Sequence, residues 1–188
     1  MKPLTSTTPH VIIMVGIPGA GKSAFAEHFA RTFQSPLVSH QQLMDAATVD
    51  EVVSARLADV LLDELLKTQR TLIYDGPTHT KSSRLALIKK VVAAGYEPLL
   101  VWVQTESLEA KRRAIKKRPN NTHISPEAFD AALRHFTPPT AAEKPVVISG
   151  KHTYASQLKI VLKRLAEQSR PETPETPRAR PSRTIILR

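Results

Sequence analysis

The chain has 188 residues, of which 41% are hydrophobic, and this is enough for one ordinary domain with a buried core. It has no cysteine, which excludes disulfides and thiolate metal sites. The net charge is +10, and 17 of the 27 lysines and arginines lie after residue 100. An excess of positive charge attracts phosphates, nucleic acid or acidic membranes, although it can also serve only to keep the surface soluble. The first residues contain no apolar segment long enough for a signal peptide or a membrane span, so we expect a cytoplasmic protein without a membrane partner.

Five short apolar runs alternate with helical patterns along the chain. The runs predict strands at 10–15, 36–39, 71–75, 97–104 and 145–149. Apolar residues at helical spacing predict helices at 22–33, 50–69, 81–95, 107–118, 125–136 and 154–168. Strands that alternate with helices imply βαβ units, and therefore a parallel sheet covered on both faces.

The longest helical pattern, at 50–69, begins after a candidate N-cap residue, Asp50. Its predicted apolar face comprises Val53, Leu57, Val60, Leu61 and Leu65. The alternation of strands and helices stops at about Ser169, and the residues after it are rich in proline and arginine. We expect residues 169–188 to form a disordered, basic, proline-rich tail.

The segment GIPGAGKS, residues 16–23, has the pattern G-x-x-x-x-G-K-[ST] and stands between a predicted strand and a predicted helix. A phosphate chain is bound by several backbone N–H groups that point into one concavity, which requires backbone conformations that side chains obstruct. The helix N-terminus adds its positive dipole end, Lys22 neutralises the β- and γ-phosphates, and the hydroxyl of Ser23 can ligate Mg²⁺. The motif predicts an ATP site formed by Gly16, Pro18, Gly19, Ala20, Gly21, Lys22, Ser23 and Ala24.

A phosphate loop needs an acidic partner for its metal ion, and Asp75 is the candidate. Asp75 ends the apolar run TLIYD, and α/β proteins bind their ligands at the carboxyl ends of strands. We predict that Ser23 and Asp75 together hold Mg²⁺, directly or through water. The alternative is an ordinary Asp-Gly-Pro turn at the end of a strand.

Three further segments accompany the loop: LIYDGPTHTKSSR, LVWVQTESLEAKRRAIKKR and FTPPTAAEKPVVISG. With GIPGAGKS they resemble the P-loop kinases of the polynucleotide kinase and zeta-toxin type, often labelled as an AAA-like ATPase domain, from about His10 to Gln168. The resemblance implies an α/β P-loop NTPase sandwich of three layers, with a five-stranded, mostly parallel sheet and a helical lid. It implies a kinase-like domain at 1–168, with the lid at about 105–137.

One stretch departs from the family pattern where a general base is expected. In this family the second strand usually ends in S/N-x-D-x-x-R, whose Asp accepts the proton of the substrate hydroxyl and whose Arg helps to bind phosphate. This chain has Gln41 at the Asp position and Met44 at the Arg position. Three alternatives are open: Asp45 reaches back to act as the base, His40 or His79 takes the proton because histidine titrates near neutral pH, or transfer proceeds slowly without a strong base.

The lid segment is strongly basic, with six basic side chains among the eight residues from Lys111 to Arg118. The resemblance implies that Arg112, Arg113 or Arg118 stabilises charge on the γ-phosphate in the role of an arginine finger. We choose Arg118 first, because it ends the predicted helix, and Arg112 second. A solvated basic helix is the alternative.

The loop after the last strand is where such folds often hold adenine. Gly150 would allow close approach of the backbone, and Lys151 or His152 would flank the base. Trp102, the single tryptophan, lies within a predicted strand and is assigned to core packing.

The residues after Asp75 are candidates for contact with an acceptor. Thr78, His79 and Thr80 lie in the loop just after it, where they could touch an acceptor hydroxyl. Arg84, nine residues past Asp75, either reaches the acceptor or lies on the surface of its helix.

These features favour an ATP-dependent phosphotransferase that moves the γ-phosphate of ATP to a hydroxyl acceptor. A polynucleotide 5′-hydroxyl suits the basic second half, although aromatic residues on which bases could stack make up only 5% of the chain. One alternative is a zeta-toxin-like nucleotide-sugar kinase. The other is an ATP-binding or ATPase protein without a hydroxyl acceptor, for example a nucleotide-dependent RNA-binding adaptor. The oligomeric state is not indicated.

Overall fold

The computed structural model describes residues 8–47, 50–116 and 124–168. Strands and helices alternate along them. Their order is β1 (His10–Val15), α1 (Lys22–Phe33), β2 (Leu37–Ser39), α2 (His40–Ala47), α3 (Glu51–Leu66), β3 (Leu72–Asp75), α4 (Lys81–Ala93), β4 (Glu97–Gln104), α5 (Ser107–Ile115), α6 (Pro126–His135), a 3₁₀ turn (Ala141–Glu143), β5 (Val146–Ser149) and α7 (Tyr154–Gln168).

The strands form one five-stranded sheet in the order β2-β3-β1-β4-β5. Every pairing in it is parallel, with Ile12 of the central strand β1 opposite Ile73 of β3 and Leu99 of β4. Since the strands are parallel, their carboxyl ends all lie at one edge, and the phosphate loop follows β1 at that edge. The predicted α/β P-loop fold with a five-stranded sheet is therefore confirmed.

Helices cover both faces of the sheet, since β1 is buried along its whole length and its residues from Val11 to Val15 are apolar. On one face, Phe25, Phe29 and Phe33 of α1 pack with residues of α6 and α7. These three rings recur every four residues, which places them on one side of the helix. On the other face, Leu62 of α3 and Val91 of α4 belong to the second core. The result is the three-layer arrangement that the sequence predicts.

The predicted elements are confirmed with small changes at their ends, and one helix was missed. Helix α2, with the sequence HQQLMDAA, buries none of its residues, so it has no apolar face that periodicity could detect. In α6, Ser125 is the N-cap as predicted, and its side chain accepts a hydrogen bond from the backbone N–H of Ala128.

The prediction of which side of α3 is buried is wrong: each buried residue lies one position after a residue that was predicted to be buried. The side that packs on the sheet comprises Ser54, Ala58, Leu62 and Leu66. Small residues at two of these positions let the helix approach closely, and the hydroxyl of Ser54 donates to the carbonyl oxygen of His40 at 2.9 Å. The larger residues that periodicity selected stay exposed: Val53 at 41%, Leu57 at 41%, Val60 at 63% and Leu61 at 37%.

The predicted tail, 169–188, lies outside the described residues, so its disorder and the domain limits stay predictions. None of the helices in the described ranges is both long enough and apolar enough to cross a membrane.

Candidate active site

The phosphate loop lies between β1 and α1 and packs against β4 and α5. Gly19 has a φ of +74°, in the left-handed region that favours glycine. A Cβ at Gly19 would collide with the carbonyl oxygen of Ala110 in α5, and one at Gly16 would lie 2.7 Å from the carbonyl oxygen of Val103. A loop that has no space for side chains at these positions fits a phosphate chain held by main-chain N–H groups.

Lys22 begins α1, and its ammonium group turns back into the loop. Nζ donates a hydrogen bond of 3.0 Å to the carbonyl oxygen of Ile17. Burial lowers the pKa of Lys22 below its usual range, and the negative charge of Asp75 opposes that shift. Lys22 is half-buried, and an ammonium group that is partly removed from water gains from an anionic ligand such as phosphate oxygens.

Ser23 and Asp75 are in direct contact, although 52 positions separate them in the chain. Ser23 Oγ donates a hydrogen bond of 2.6 Å to Asp75 Oδ2. Asp75 is the buried last residue of β3, and the pairing of β3 with β1 brings it beside the loop. A hydroxyl and a carboxylate are the oxygen ligands that Mg²⁺ prefers, so these residues fit that ion.

This pair is an incomplete set of metal ligands by itself. Among residues 8–47, 50–116 and 124–168, no three His, Asp or Glu side chains converge as in a site built entirely from protein groups. Mg²⁺ at nucleotide sites is usually held by one or two carboxylates, together with phosphate oxygens and water. The donor set therefore suits a magnesium–nucleotide complex better than a metal bound by protein alone.

The lid arginines differ in what they contact. Arg113 Nε donates to Glu109 Oε1 at 2.8 Å, and its Nη1 donates to the carbonyl oxygen of Gly150 at 2.9 Å. The side chain of Arg112 is 78% exposed and pairs only with Glu109 among the described residues. Arg118, the first choice from the sequence, lies outside those residues. The described lid thus brings Arg113, and not Arg112, to the loop after β5.

Gly150 itself contacts the phosphate loop. A Cβ on Gly150 would collide with the carbonyl oxygen of Ala20 and with Thr105 Oγ1. Thr105 Oγ1 donates to the Ala20 carbonyl oxygen at 2.9 Å, and the Gly150 N–H donates to the carbonyl oxygen of Gln104 at 2.8 Å. The ends of β4 and β5 and the phosphate loop are therefore joined at one point, and the close approach at Gly150 is to the loop itself, while its predicted contact with adenine stays a prediction.

Helix α2 contains the residues that depart from the family pattern. The amide of Gln41 donates to Asp45 Oδ1 at 2.9 Å, and both side chains are exposed. Met44 is half-buried. Asp45 thus lies on the same side of α2 as the residue it would replace, with one of its carboxylate oxygens accepting from Gln41.

The loop after β3 is held mainly by structural contacts. Thr78 Oγ1 donates to the carbonyl oxygen of Met14 at 2.6 Å, and Thr80 caps α4 by accepting from the backbone N–H of Ser83. Of the three residues suggested to touch an acceptor, Thr78 is buried, and the side chain of His79 is the exposed one.

Both interpretations of Arg84 from the sequence are wrong. Its side chain is fully buried, and Nε and Nη2 donate to Glu143 at 2.7 and 3.2 Å. Nη1 donates to the carbonyl oxygens of Thr78 and Thr137. The guanidinium makes all of these hydrogen bonds within the protein, so it reaches neither an acceptor nor the surface.

Residues 11–139 match the model of the family AAA_33, described as AAA domain. The chain belongs to this family. The matched residues include the phosphate loop, Asp75 and both lid helices. The resemblance to P-loop proteins that are often labelled as an AAA-like ATPase domain is thereby confirmed.

Known proteins similar to this AAA domain include kinases. A shikimate kinase from Corynebacterium glutamicum is 26% identical over 118 residues, which are 57% of this chain and 66% of that protein, just under two thirds of its length. A gluconokinase from Sinorhizobium meliloti 1021 has a similar structure, with a TM-score of 0.60 and 14% identity, over 86% of this chain and 93% of that one. Kti12 from Chaetomium thermophilum, crystallised with ADP-AlF3, has a TM-score of 0.61 and 16% identity, over 83% and 97% of the two chains.

Sequence reasoning missed Thr105 and ranked Arg113 below its neighbours. The only available signal for Thr105 is its position directly after β4, at the edge where an AAA domain binds nucleotide. Arg112, Arg113 and Arg118 belong to one basic segment of the sequence. Arg113 contacts Gly150 and Arg112 is exposed because of the way α5 packs over Gly19. That packing has no counterpart in the local sequence.

Proposed function

We propose that this AAA domain is an ATP-dependent phosphotransferase that moves the γ-phosphate of ATP to a hydroxyl acceptor. The observation that carries the proposal is the hydrogen bond of 2.6 Å from Ser23 Oγ to Asp75 Oδ2. Lys22 directly precedes Ser23 in the chain, so its ammonium group belongs to the same site. A hydroxyl, a carboxylate and an ammonium group beside a glycine-lined loop are the groups on which phosphoryl transfer depends. The similarity to a shikimate kinase supports a hydroxyl as the acceptor.

The triphosphate would lie along residues 16–24, over the N-terminus of α1, whose first turn contains no acidic side chain to repel it. Lys22 would exchange its hydrogen bond to Ile17 for bonds to the β- and γ-phosphates. When bound, Mg²⁺ supplies positive charge to the phosphate oxygens, and Ser23 and Asp75 are the residues that would hold it.

Arg113 is the described lid arginine best placed to act on the nucleotide. It contacts Gly150, the residue at which the loop after β5 meets the phosphate loop. Arg112 would have to turn from solvent to reach the same space, and Arg118 stays a candidate from the sequence alone. A guanidinium at this position would neutralise charge on the phosphates, the part of catalysis that phosphoryl transfer needs most.

In the proposed reaction, the acceptor oxygen forms a bond to the γ-phosphorus as the bond from that phosphorus to the β–γ bridging oxygen breaks. ADP is the leaving group, and the proton of the hydroxyl passes to a base or to water. Asp45 of α2 is the proposed base, with His79 in the loop after β3 and His40 at the start of α2 as its alternatives.

The reaction can be tested with γ-labelled ATP and Mg²⁺. The purified protein is incubated with 5′-hydroxyl RNA, 5′-hydroxyl DNA, nucleosides, nucleotide sugars and small hydroxy acids, while free phosphate is measured in parallel. Label on one class of acceptor would support the proposal. Release of phosphate with no labelled acceptor in the whole panel would contradict it.

Asp75→Asn is expected to lower Mg²⁺-dependent turnover by about 10²- to 10³-fold, the usual range for one lost electrostatic group. Asparagine keeps the shape of the side chain and can still accept from Ser23, so ATP affinity should fall far less. Turnover and ATP affinity are measured on the same preparation across a magnesium titration. Asp63→Asn is the matched control, since Asp63 is an exposed carboxylate paired with Lys90. Equal losses of turnover and affinity would contradict a metal role for Asp75.

Asp45→Asn is expected to slow transfer by about 10²- to 10⁴-fold, the usual contribution of a general base, with little change in ATP affinity. Asp50→Asn is the matched control, because Asp50 caps α3 by accepting from Val53 and asparagine caps equally well. A transfer rate unaltered by Asp45→Asn would rule this carboxylate out. A matching loss in His79→Gln would then assign the proton transfer to the histidine.

One observation favours ATP hydrolysis without a dedicated acceptor as the second candidate function. The family's Asp is replaced by Gln41, whose amide engages the nearest carboxylate on α2. If Asp45 is held in that contact, water is a sufficient acceptor for slow turnover. In that case the phosphate assay described above would show hydrolysis whose rate is independent of any added hydroxyl compound.

A further inference from the structure

A cavity of about 450 Å³ opens at the carboxyl ends of β4 and β5, beside the phosphate loop. Its volume lies within the range of sites for small molecules. Ile17 of the phosphate loop forms part of its wall, so a molecule held there lies next to the proposed phosphate site. The residues that matter for its chemistry are Trp102, Gln104, Phe136, Ser149 and Lys151.

Two aromatic rings line this cavity. Trp102 is half-buried near the end of β4 and packs against the core that contains Leu62 and Val91, whereas its neighbours Val101 and Val103 belong to the core on the other face of the sheet. Phe136 follows α6 and is also half-buried. The sequence assigned Trp102 to core packing, and it does pack against the second core, but it is also half-buried and among the residues that line the cavity. An indole at such a wall can stack on a planar ligand.

The polar groups of the cavity suit a neutral heterocycle better than an acid. The side chain of Gln104 makes no hydrogen bond within the described ranges, so it offers both an amide donor and a carbonyl acceptor. The ammonium of Lys151 is already paired with Glu106 at 3.2 Å. No arginine is among the described residues that line the cavity. Shikimate and gluconate are carboxylates, and the described residues that line the cavity offer no unpaired cation to bind a carboxylate.

We propose that this cavity binds the phosphate acceptor through a nucleobase, which stacks on Trp102 and Phe136 and presents its edge to the Gln104 amide. This inference rests on the proposed phosphotransfer, since it places the hydroxyl of a nucleoside or of a polynucleotide 5′ end beside Ile17 and the phosphate loop. A net charge of +10 favours an acceptor that belongs to nucleic acid.

Because Trp102 is the only tryptophan, all of the protein's tryptophan fluorescence comes from a residue that lines this cavity. The protein is first saturated with ADP and Mg²⁺, and then titrated with uridine, adenosine, a 5′-hydroxyl oligonucleotide, glucose or gluconate. Quenching by the nucleosides and the oligonucleotide, but not by glucose or gluconate, is the expected result. Tighter, salt-dependent binding of the oligonucleotide would identify a polynucleotide end as the source of the base, and equal binding a free nucleoside.

Two variants test the same cavity by kinetics. Trp102→Ala should raise the KM for the acceptor by about 5- to 100-fold, as expected for one lost stacking contact, and leave the KM for ATP unchanged. Since Trp102 also contacts the core, Gln104→Ala supplies a second test on an exposed side chain. Gln42→Ala, which replaces another exposed glutamine outside the cavity, is the matched control.

The outcomes separate this inference from the proposed function. Transfer to a sugar without quenching by nucleosides would overturn the base site and leave phosphotransfer intact. Quenching by nucleosides with no transfer to any compound would support the base site and contradict phosphotransfer. Full quenching by ADP alone, with no further change on adding nucleoside, would place the adenine of the nucleotide in the cavity and overturn the inference.

Discussion

Replacing Lys22 with alanine is expected to lower the rate of phosphoryl transfer by about 10²- to 10³-fold. The ammonium lies inside the phosphate loop, where its present partner is the carbonyl oxygen of Ile17 at 3.0 Å. A charged hydrogen bond is worth about 1.5–3 kcal/mol, so ATP affinity should fall by about 10- to 100-fold as well. Transfer suffers more than binding, because charge accumulates on the phosphate oxygens as the bond to ADP breaks.

Thermal stability gives this prediction a second readout. At an ATP concentration 100 times the dissociation constant, the wild-type protein should gain about 2.7 kcal/mol in free energy of unfolding. A variant that binds 100-fold more weakly should gain about 0.4 kcal/mol at the same concentration. The free protein should change little in stability, since removing an ammonium whose pKa burial has lowered compensates for the lost hydrogen bond.

Lys159→Ala is the matched control for Lys22→Ala, because Lys159 is an exposed lysine on α7 and is not part of the phosphate loop. It should keep both the transfer rate and the stabilisation by ATP. A Lys22 variant that retains full stabilisation by ATP would remove this lysine from the site, and with it the basis for the proposed transfer.

The phosphate loop could be predicted because its cause is local. Glycines, Lys22 and Ser23 lie within eight residues, and the strand before them and the helix after them have clear periodicity. Asp75 could be predicted for a related reason, since an acidic residue at the end of an apolar strand is visible in sequence. Neither prediction required knowledge of contacts between distant residues, apart from the parallel sheet that the alternation of elements implies.

The features that were missed depend on packing between elements. The choice between Arg112 and Arg113 follows from how α5 lies over Gly19, and the buried side of α3 follows from small residues that allow close approach. Helix α2 buries no side chain, so no hydrophobic period marks it. Arg84 is the extreme case, because its carboxylate partner Glu143 is 59 positions away. The sequence pattern around Glu143 indicates a capping box with Thr140, and not a bond to a distant arginine.

Replacing Arg84 with methionine is expected to lower the free energy of unfolding by about 3–5 kcal/mol, the usual cost of breaking a buried ion pair. Arg84 is 0% exposed, and the carboxylate of Glu143 would be left buried without its cation. The same guanidinium bonds to Thr78 in the loop after β3 and to Thr137 after the lid. Its loss should therefore loosen the segment that returns from the lid to the sheet. Urea denaturation monitored by circular dichroism measures the change.

Two controls distinguish this pair from ordinary surface pairs. Arg31→Met removes an exposed partner of Glu27 on α1 and should cost no more than about 1 kcal/mol. Arg84→Lys keeps the charge but cannot present a planar fork, so an intermediate loss is expected. In the double variant Arg84→Met with Glu143→Gln, the loss should be smaller than the sum of the two single losses, because no buried charge is left unpaired.

Acid provides an independent test of the pair. The hydrogen bond from Arg84 lowers the pKa of Glu143 to about 2, from its ordinary value of 4.5. A carboxyl group whose pKa is lower in the folded state stabilises the fold above the unfolded pKa, and that contribution is lost as the pH falls from 4.5 toward 2. Wild-type stability should drop across this range, and the drop should be smaller in Glu143→Gln, which has no proton to gain there. The prediction would be contradicted if stability fell equally with pH in the wild type and in Glu143→Gln, and if Arg84→Met cost no more than about 1 kcal/mol, as for an exposed ion pair. The buried pair would then not hold the segment after the lid.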